Sequence, residues 1–124
     1  MFADRITLIG GLFGGVLVTG ICMIFAGRSI PGWLAVAHKL LAVICLILLL
    51  RSLGALRAFH APPALPIAIA VFAVAFLAAF ATGIVQSIPA SAGPLWLNLH
   101  RFSSAIAAIA CAVAARFVAT AAHS

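Results

Sequence analysis

Hydrophobic residues fall into four long runs, which are separated by short segments rich in proline, glycine and polar residues. The runs cover about residues 6–26, 33–50, 65–85 and 95–118. A membrane-spanning helix needs roughly 20 consecutive apolar residues, so each run is long enough to cross a bilayer. The pattern predicts four transmembrane helices, and the second can continue beyond Leu50 as an amphipathic helix through RSLGALRAFH.

The segments between the runs are short and contain the sequences GRSIPG, APPALP and QSIPASAGP. Proline and glycine interrupt helices, and short connections join antiparallel helices. The predicted fold class is therefore all-α and integral to the membrane. We expect a four-transmembrane-helix up-down bundle that forms a single transmembrane domain over residues 1–124.

Composition supports a bilayer as the solvent of this chain. Of its residues, 67% are hydrophobic and 6% are charged, against about 45–50% apolar and about 25% charged in soluble proteins. The four spans leave no room for a soluble domain. Cys22, Cys45 and Cys111 lie within the apolar runs without a CxxC pair, so we predict small buried side chains and neither a zinc nor a redox motif.

The net charge of +6 comes from seven Lys and Arg residues and a single acid, Asp4. These cations lie near the ends of the predicted spans, where they interact with lipid headgroups, so we do not expect nucleic acid as a partner. One side of the membrane would carry four of the cations and the other side three. The first set is Arg5, Arg51, Arg57 and Arg116, and the second is Arg28, Lys39 and Arg101. This small excess predicts that both termini are cytoplasmic.

The two halves of the chain repeat a pattern of polar and aromatic residues. The first half reads VTGICMIFAGRSIPGWLAVAHK and the second reads ATGIVQSIPASAGPLWLNLHR. Thr-Gly, Ile-Pro, Trp-Leu and a histidine–cation pair occur in the same order, with Thr19 and Thr82 63 residues apart and His38 and His100 62 apart. We predict a tandem duplication of a two-helix unit. The repeats would cover about residues 6–59 and 65–121.

The repeated histidines are the strongest candidates for function, because ionisable residues inside a membrane are costly. Each repeat contains two spans, so both copies have the same orientation, and His38 and His100 would lie at the same depth. Imidazole is an axial ligand of haem iron, and helix bundles hold cofactors between facing helices. We therefore predict one haem b with His38 and His100 as axial ligands, and with Lys39 and Arg101 binding its propionates.

Small residues are expected across from each histidine. The midpoint between Gly20 and His38, and that between Gly83 and His100, both fall in a connector. A Thr-Gly pair therefore lies at the depth of each histidine. We predict that these four residues form the slot for the haem: Thr19, Gly20, Thr82 and Gly83.

The TG near the end of one helix and the W…HK or W…LHR that opens the next resemble the helix pairs of bacterial membrane b-type cytochromes. These include the cytochrome b subunits of formate dehydrogenases and nickel–iron hydrogenases. The resemblance covers most of the chain and carries ligand roles to His38 and His100 only. It implies electron transfer to or from quinone or a partner redox protein in the bacterial inner membrane, within a larger redox complex. A homodimer is a separate expectation, which the glycines of GGLFGG favour as an alternative to packing within the bundle. The chain lacks the second histidine pair of the larger members, since His60 and His123 are predicted to lie at or outside the far interface.

Other interpretations of the histidines are also open. Tryptophan followed by histidine and a cation is a good interfacial anchor, and a duplication would copy an anchor as readily as a ligand. A bound zinc or copper ion is disfavoured because it would need three or four clustered ligands. A glycine-rich stretch, GGLFGG, has the spacing that lets helices approach closely.

Among other protein classes, a proton-coupled transporter is disfavoured because no span contains a carboxylate. A channel lacks a polar set to line its pore, and a hydrolase lacks the acid of a catalytic triad. We predict no catalytic residues, and an electron-transfer protein or subunit rather than a stand-alone enzyme. The main alternative is a non-haem accessory subunit that docks onto a larger membrane complex.

Overall fold

The computed structural model of the protein describes residues 2–27, 29–56, 63–88 and 93–122. These residues form four α-helices and contain no strand. The helices are α1 (Phe2–Ala26), α2 (Gly32–Leu56), α3 (Ala64–Gln86) and α4 (Pro94–Ala122). All four are long and apolar enough to cross a membrane. The prediction of an all-α, multi-pass membrane protein with four spans is confirmed.

Proline and glycine define the helix ends, as the sequence indicates. Pro94 is the first residue of α4 and Pro63 caps the start of α3, where the missing backbone N–H leaves no helical hydrogen bond unmade. Gly27 follows α1 with a φ of 62°, the left-handed conformation in which glycine commonly ends a helix. The helix α2 continues past Leu50 to Leu56, as its amphipathic extension predicts.

The described helices pack as two compact units. Hairpin 1 consists of α1 and α2, and hairpin 2 consists of α3 and α4. In hairpin 1, the thiol of Cys45 lies 3.9 Å from the Ile9 carbonyl oxygen, whereas the later α1 residue Gly20 faces the earlier α2 residue His38. This opposite order along the two helices makes the pair antiparallel.

Part of the core lies at equivalent positions in the two hairpins. The buried residues of α1 are Ile9, Phe13 and Val16, and residues 63 positions later in α3 are also buried: Phe72, Phe76 and Ala79. In α2 the buried Cys45 and Ser52 correspond, 62 positions later, to the buried Ala107 and Ala114 of α4, whereas the counterparts of the buried Leu34 and Leu49 are the exposed Trp96 and the half-buried Cys111. These spacings match the offsets of the repeated motif. A duplicated unit would have this property, and the duplication itself stays a prediction.

The cysteines differ in their surroundings. Cys45 is buried in hairpin 1 and Cys111 is half-buried, but Cys22 is exposed. The prediction of a buried side chain is therefore wrong for Cys22. The cause is its position on α1, two residues after Gly20 and hence about 200° around the helix from the face that meets α2.

Candidate functional site

His38 and His100 occupy the same position in their helices. Each is the seventh residue of its helix, since α2 begins at Gly32 and α4 begins at Pro94. Both side chains are half-buried. Each histidine is also seven residues before a fully buried residue, Cys45 or Ala107, so it lies on the face of its helix that packs within the hairpin.

In hairpin 1, the Nδ1 atom of His38 lies 3.0 Å from the carbonyl oxygen of Val16 on α1. A carbonyl oxygen can only accept a hydrogen bond, so Nδ1 carries a proton and donates it. In a neutral imidazole the other nitrogen is then the basic one. The contact therefore assigns the lone pair of the His38 ring to Nε2.

Hairpin 2 repeats this arrangement with its own residues. Nδ1 of His100 lies 2.8 Å from the carbonyl oxygen of Ala79 on α3. The same reasoning places the proton of His100 on Nδ1 and the lone pair on Nε2. Val16 and Ala79 are 63 residues apart, the same offset as Thr19 and Thr82. The two hairpins thus fix their histidines in one tautomer through equivalent backbone atoms.

Glycine makes this approach of the imidazole to the neighbouring helix possible. A Cβ atom placed on Gly20 would lie 3.3 Å from Cε1 of His38, and one on Gly83 would lie 3.2 Å from Cε1 of His100. Each glycine follows the accepting carbonyl by four residues, so its N–H takes one lone pair of that oxygen in the helix. Because the glycine has no side chain, it does not cover this carbonyl oxygen, and the second lone pair of the oxygen stays accessible to the histidine.

The threonine before each glycine completes the contact. The Thr19 hydroxyl lies 2.9 Å from the Gly15 carbonyl oxygen and 3.0 Å from Nδ1 of His38. In hairpin 2, the Thr82 hydroxyl lies 2.8 Å from the Ala78 carbonyl oxygen and 3.4 Å from Nδ1 of His100. In each hairpin the threonine hydroxyl thus lies near Nδ1 of the histidine, and the glycine faces the same ring.

The structure therefore places each predicted Thr-Gly pair at its histidine. The group that lies beside each glycine is the imidazole ring. That these four residues form a slot for haem therefore stays a prediction. Sequence reasoning missed the carbonyl oxygens of Val16 and Ala79, which any residue type supplies. The one available signal was the glycine four positions later, which marks an open backbone.

The predicted propionate partners, Lys39 and Arg101, directly follow the two histidines and are exposed. The tryptophans near the starts of α2 and α4, Trp33 and Trp96, are also exposed. Ser104 donates a hydrogen bond to the His100 carbonyl oxygen at 2.7 Å, so its hydroxyl is satisfied within α4. Four residues named in the sequence analysis lie outside the described residues: Arg28, Arg57, His60 and His123.

The donor set suits a haem better than a bare metal ion. Within residues 2–27, 29–56, 63–88 and 93–122, no three His, Cys, Asp or Glu side chains cluster in a way that could hold a metal. Zinc and copper sites are built from three or more such ligands. Iron in a porphyrin takes its remaining ligands from axial side chains. In each hairpin the imidazole donates from Nδ1, which makes Nε2 the atom that such an iron would take.

Comparison of the chain with protein-family models, with curated proteins and with solved structures finds no match. The resemblance to membrane b-type cytochromes is therefore a matter of the short motifs alone. A functional proposal for this protein depends on its own residues and contacts.

Proposed function

We propose that the protein is a membrane b-type cytochrome that holds one haem b through Nε2 of His38 and of His100. The supporting observation is the bond from Nδ1 of each ring to a backbone carbonyl, at 3.0 Å and 2.8 Å. Histidines that ligate metals almost always donate their other ring N–H to a carbonyl, a carboxylate or water. Such a bond fixes the tautomer and orients the ring for its ligand.

The presence of two such histidines adds weight to this function. A helix pair that needed only a donor for one carbonyl oxygen would be served by a smaller amide or hydroxyl side chain. Imidazole is an ionisable group inside an apolar segment, and such groups are costly there and typical of functional sites. Haem iron has two axial positions, and the chain supplies two imidazoles in the same tautomer.

The remaining predicted residues have supporting roles in this proposal. Lys39 and Arg101 would bind the propionates, because each directly follows a ligand and is exposed near the start of its helix. Haem supplies one-electron redox chemistry when it is bound. The chain would hold and orient it, and the apolar helices would exclude water from it. Electrons would pass to or from a quinone in the lipid or a partner redox protein in the bacterial inner membrane.

Optical spectroscopy of the purified protein tests this function. We expect protein extracted in mild detergent, from cells supplied with haem, to show a b-type reduced-minus-oxidised spectrum. Because His38 and His100 belong to one chain, we expect one haem per chain. A ratio of one haem per two chains would mean that only half of these histidines are ligands, and it would contradict the assignment of both. Helical protein that is colourless and takes up no added haemin would contradict the proposal and favour the accessory-subunit alternative.

A further inference from the structure

The hydroxyl groups of Thr19 and Thr82 are oriented toward the histidines by their own helices. Each hydroxyl lies within 3.0 Å of two carbonyl oxygens of the preceding turn, at residues 15 and 16 or 78 and 79. Its hydrogen therefore points into the helix, since a carbonyl can only accept. The oxygen lone pairs are left on the side where the neighbouring Nδ1–H lies.

The two hairpins use this hydroxyl to different extents. Nδ1 of His38 is 3.0 Å from the Thr19 hydroxyl and 3.0 Å from the Val16 carbonyl, so its proton is shared between two equal acceptors. Nδ1 of His100 is 2.8 Å from the Ala79 carbonyl but 3.4 Å from the Thr82 hydroxyl. Good N–H···O hydrogen bonds are about 2.7–3.2 Å long, so of the two threonine hydroxyls only that of Thr19 lies within this range of its histidine.

We propose that the two threonines are positioning residues that tune electron donation by the histidines, and that Thr19 has the larger effect. This inference rests on the proposed haem function. An acceptor on Nδ1–H makes Nε2 more basic, and a more basic axial ligand stabilises ferric over ferrous haem. Hydrogen bonding around an axial ligand is one of the protein's means of setting the haem potential. Removing the hydroxyl therefore raises the midpoint potential.

Spectropotentiometry of four variants tests the proposal: Thr19→Val, Thr82→Val, Thr19→Ser and Thr82→Ser. Valine keeps the branched shape without the acceptor, and serine keeps the acceptor. We expect a higher midpoint potential in Thr19→Val, a smaller rise in Thr82→Val, and values near wild type in both serine variants. Equal shifts in the two valine variants, or no recovery in Thr19→Ser, would overturn the proposal. If the threonines only pack against their neighbours, the valine variants should lose stability, and the serine variants should not restore a wild-type midpoint potential.

A second measurement needs neither haem nor a variant. Nitrogen-15 NMR of the histidine side chains in haem-free protein should show both rings protonated at Nδ1. The Nδ1–H proton of His100 should resonate further downfield, because its bond to the carbonyl is shorter. Identical Nδ1–H environments would overturn the inferred difference between the hairpins. A protein with the expected NMR signals that binds no haem would instead sink the proposed function and leave the threonine contacts standing.

Discussion

Replacing either histidine by asparagine, in His38→Asn or His100→Asn, should abolish stable haem binding while preserving the helix hairpin. The amide nitrogen of asparagine lies about where Nδ1 of histidine lies, so it can still donate to the Val16 or Ala79 carbonyl. It has no counterpart of Nε2. We expect the haem affinity to fall by more than about 100-fold, the upper end of the loss caused by removing a partner of a ligand.

Haem titration of the detergent-purified variants measures this effect, with helix content by circular dichroism as the check on folding. His60→Asn and His123→Asn are the matched controls, because both positions are predicted to lie at or outside the far interface, so both variants should retain haem. The double variant His38→Asn/His100→Asn should be little worse than either single one, since both ligands serve one iron. Asparagine variants that keep their haem would refute the ligand roles, and additive losses would refute a shared iron.

Adding a side chain at the glycines that face the histidines should be the next most damaging change. In Gly20→Val and Gly83→Val, the Cβ atom alone would lie 3.3 Å and 3.2 Å from Cε1 of the facing imidazole. The ring must then move away from the carbonyl that orients it. Losing such an orienting partner typically lowers metal affinity about 10- to 100-fold. The effect should be larger at Gly83, where a Cβ would lie 3.4 Å from Nδ1 of His100, than at Gly20, where it would lie 3.7 Å from Nδ1 of His38.

Gly11→Val is the matched control for these variants. Gly11 is in α1 and exposed, and among the described neighbours that a Cβ there would meet, none lies within 4 Å. Gly11→Val and Gly20→Val introduce the same residue type into α1, so the helix propensity changes equally in these two variants. Haem titration should give wild-type affinity for Gly11→Val. Equal losses of haem affinity in Gly11→Val and Gly20→Val would show that the loss comes from general helix or lipid packing and not from displacement of the imidazole.

The lengths of the apolar runs were sufficient to predict the helices, because the bilayer imposes a minimum length on every spanning segment. The predicted ends of α3 lie within one residue of the observed Ala64–Gln86. The pairing of Gly20 with His38 and of Gly83 with His100 also followed from sequence, because distance from the turn fixes depth in an antiparallel hairpin. Both contacts are present.

The atomic partners of the histidines were beyond sequence reasoning. A backbone carbonyl has no residue signature, so the contacts of Nδ1 with Val16 and Ala79 required coordinates. The sequence also does not indicate which face of each helix packs against its neighbour, because almost every residue in these helices is apolar. That is why Cys22 was expected to be buried and is exposed. The Thr19 and Thr82 hydroxyls differ in their distances from Nδ1 of the histidines by a few tenths of an ångström, which no sequence pattern encodes.

Near-infrared magnetic circular dichroism of the oxidised, purified protein tests the central claim most directly, because it identifies the axial ligands of ferric haem. We predict low-spin haem with two neutral imidazole ligands at one haem per chain, and loss of this signature in both His38→Asn and His100→Asn. High-spin haem, a ligand pair other than two histidines, or a bis-histidine signal that survives either substitution would contradict the account.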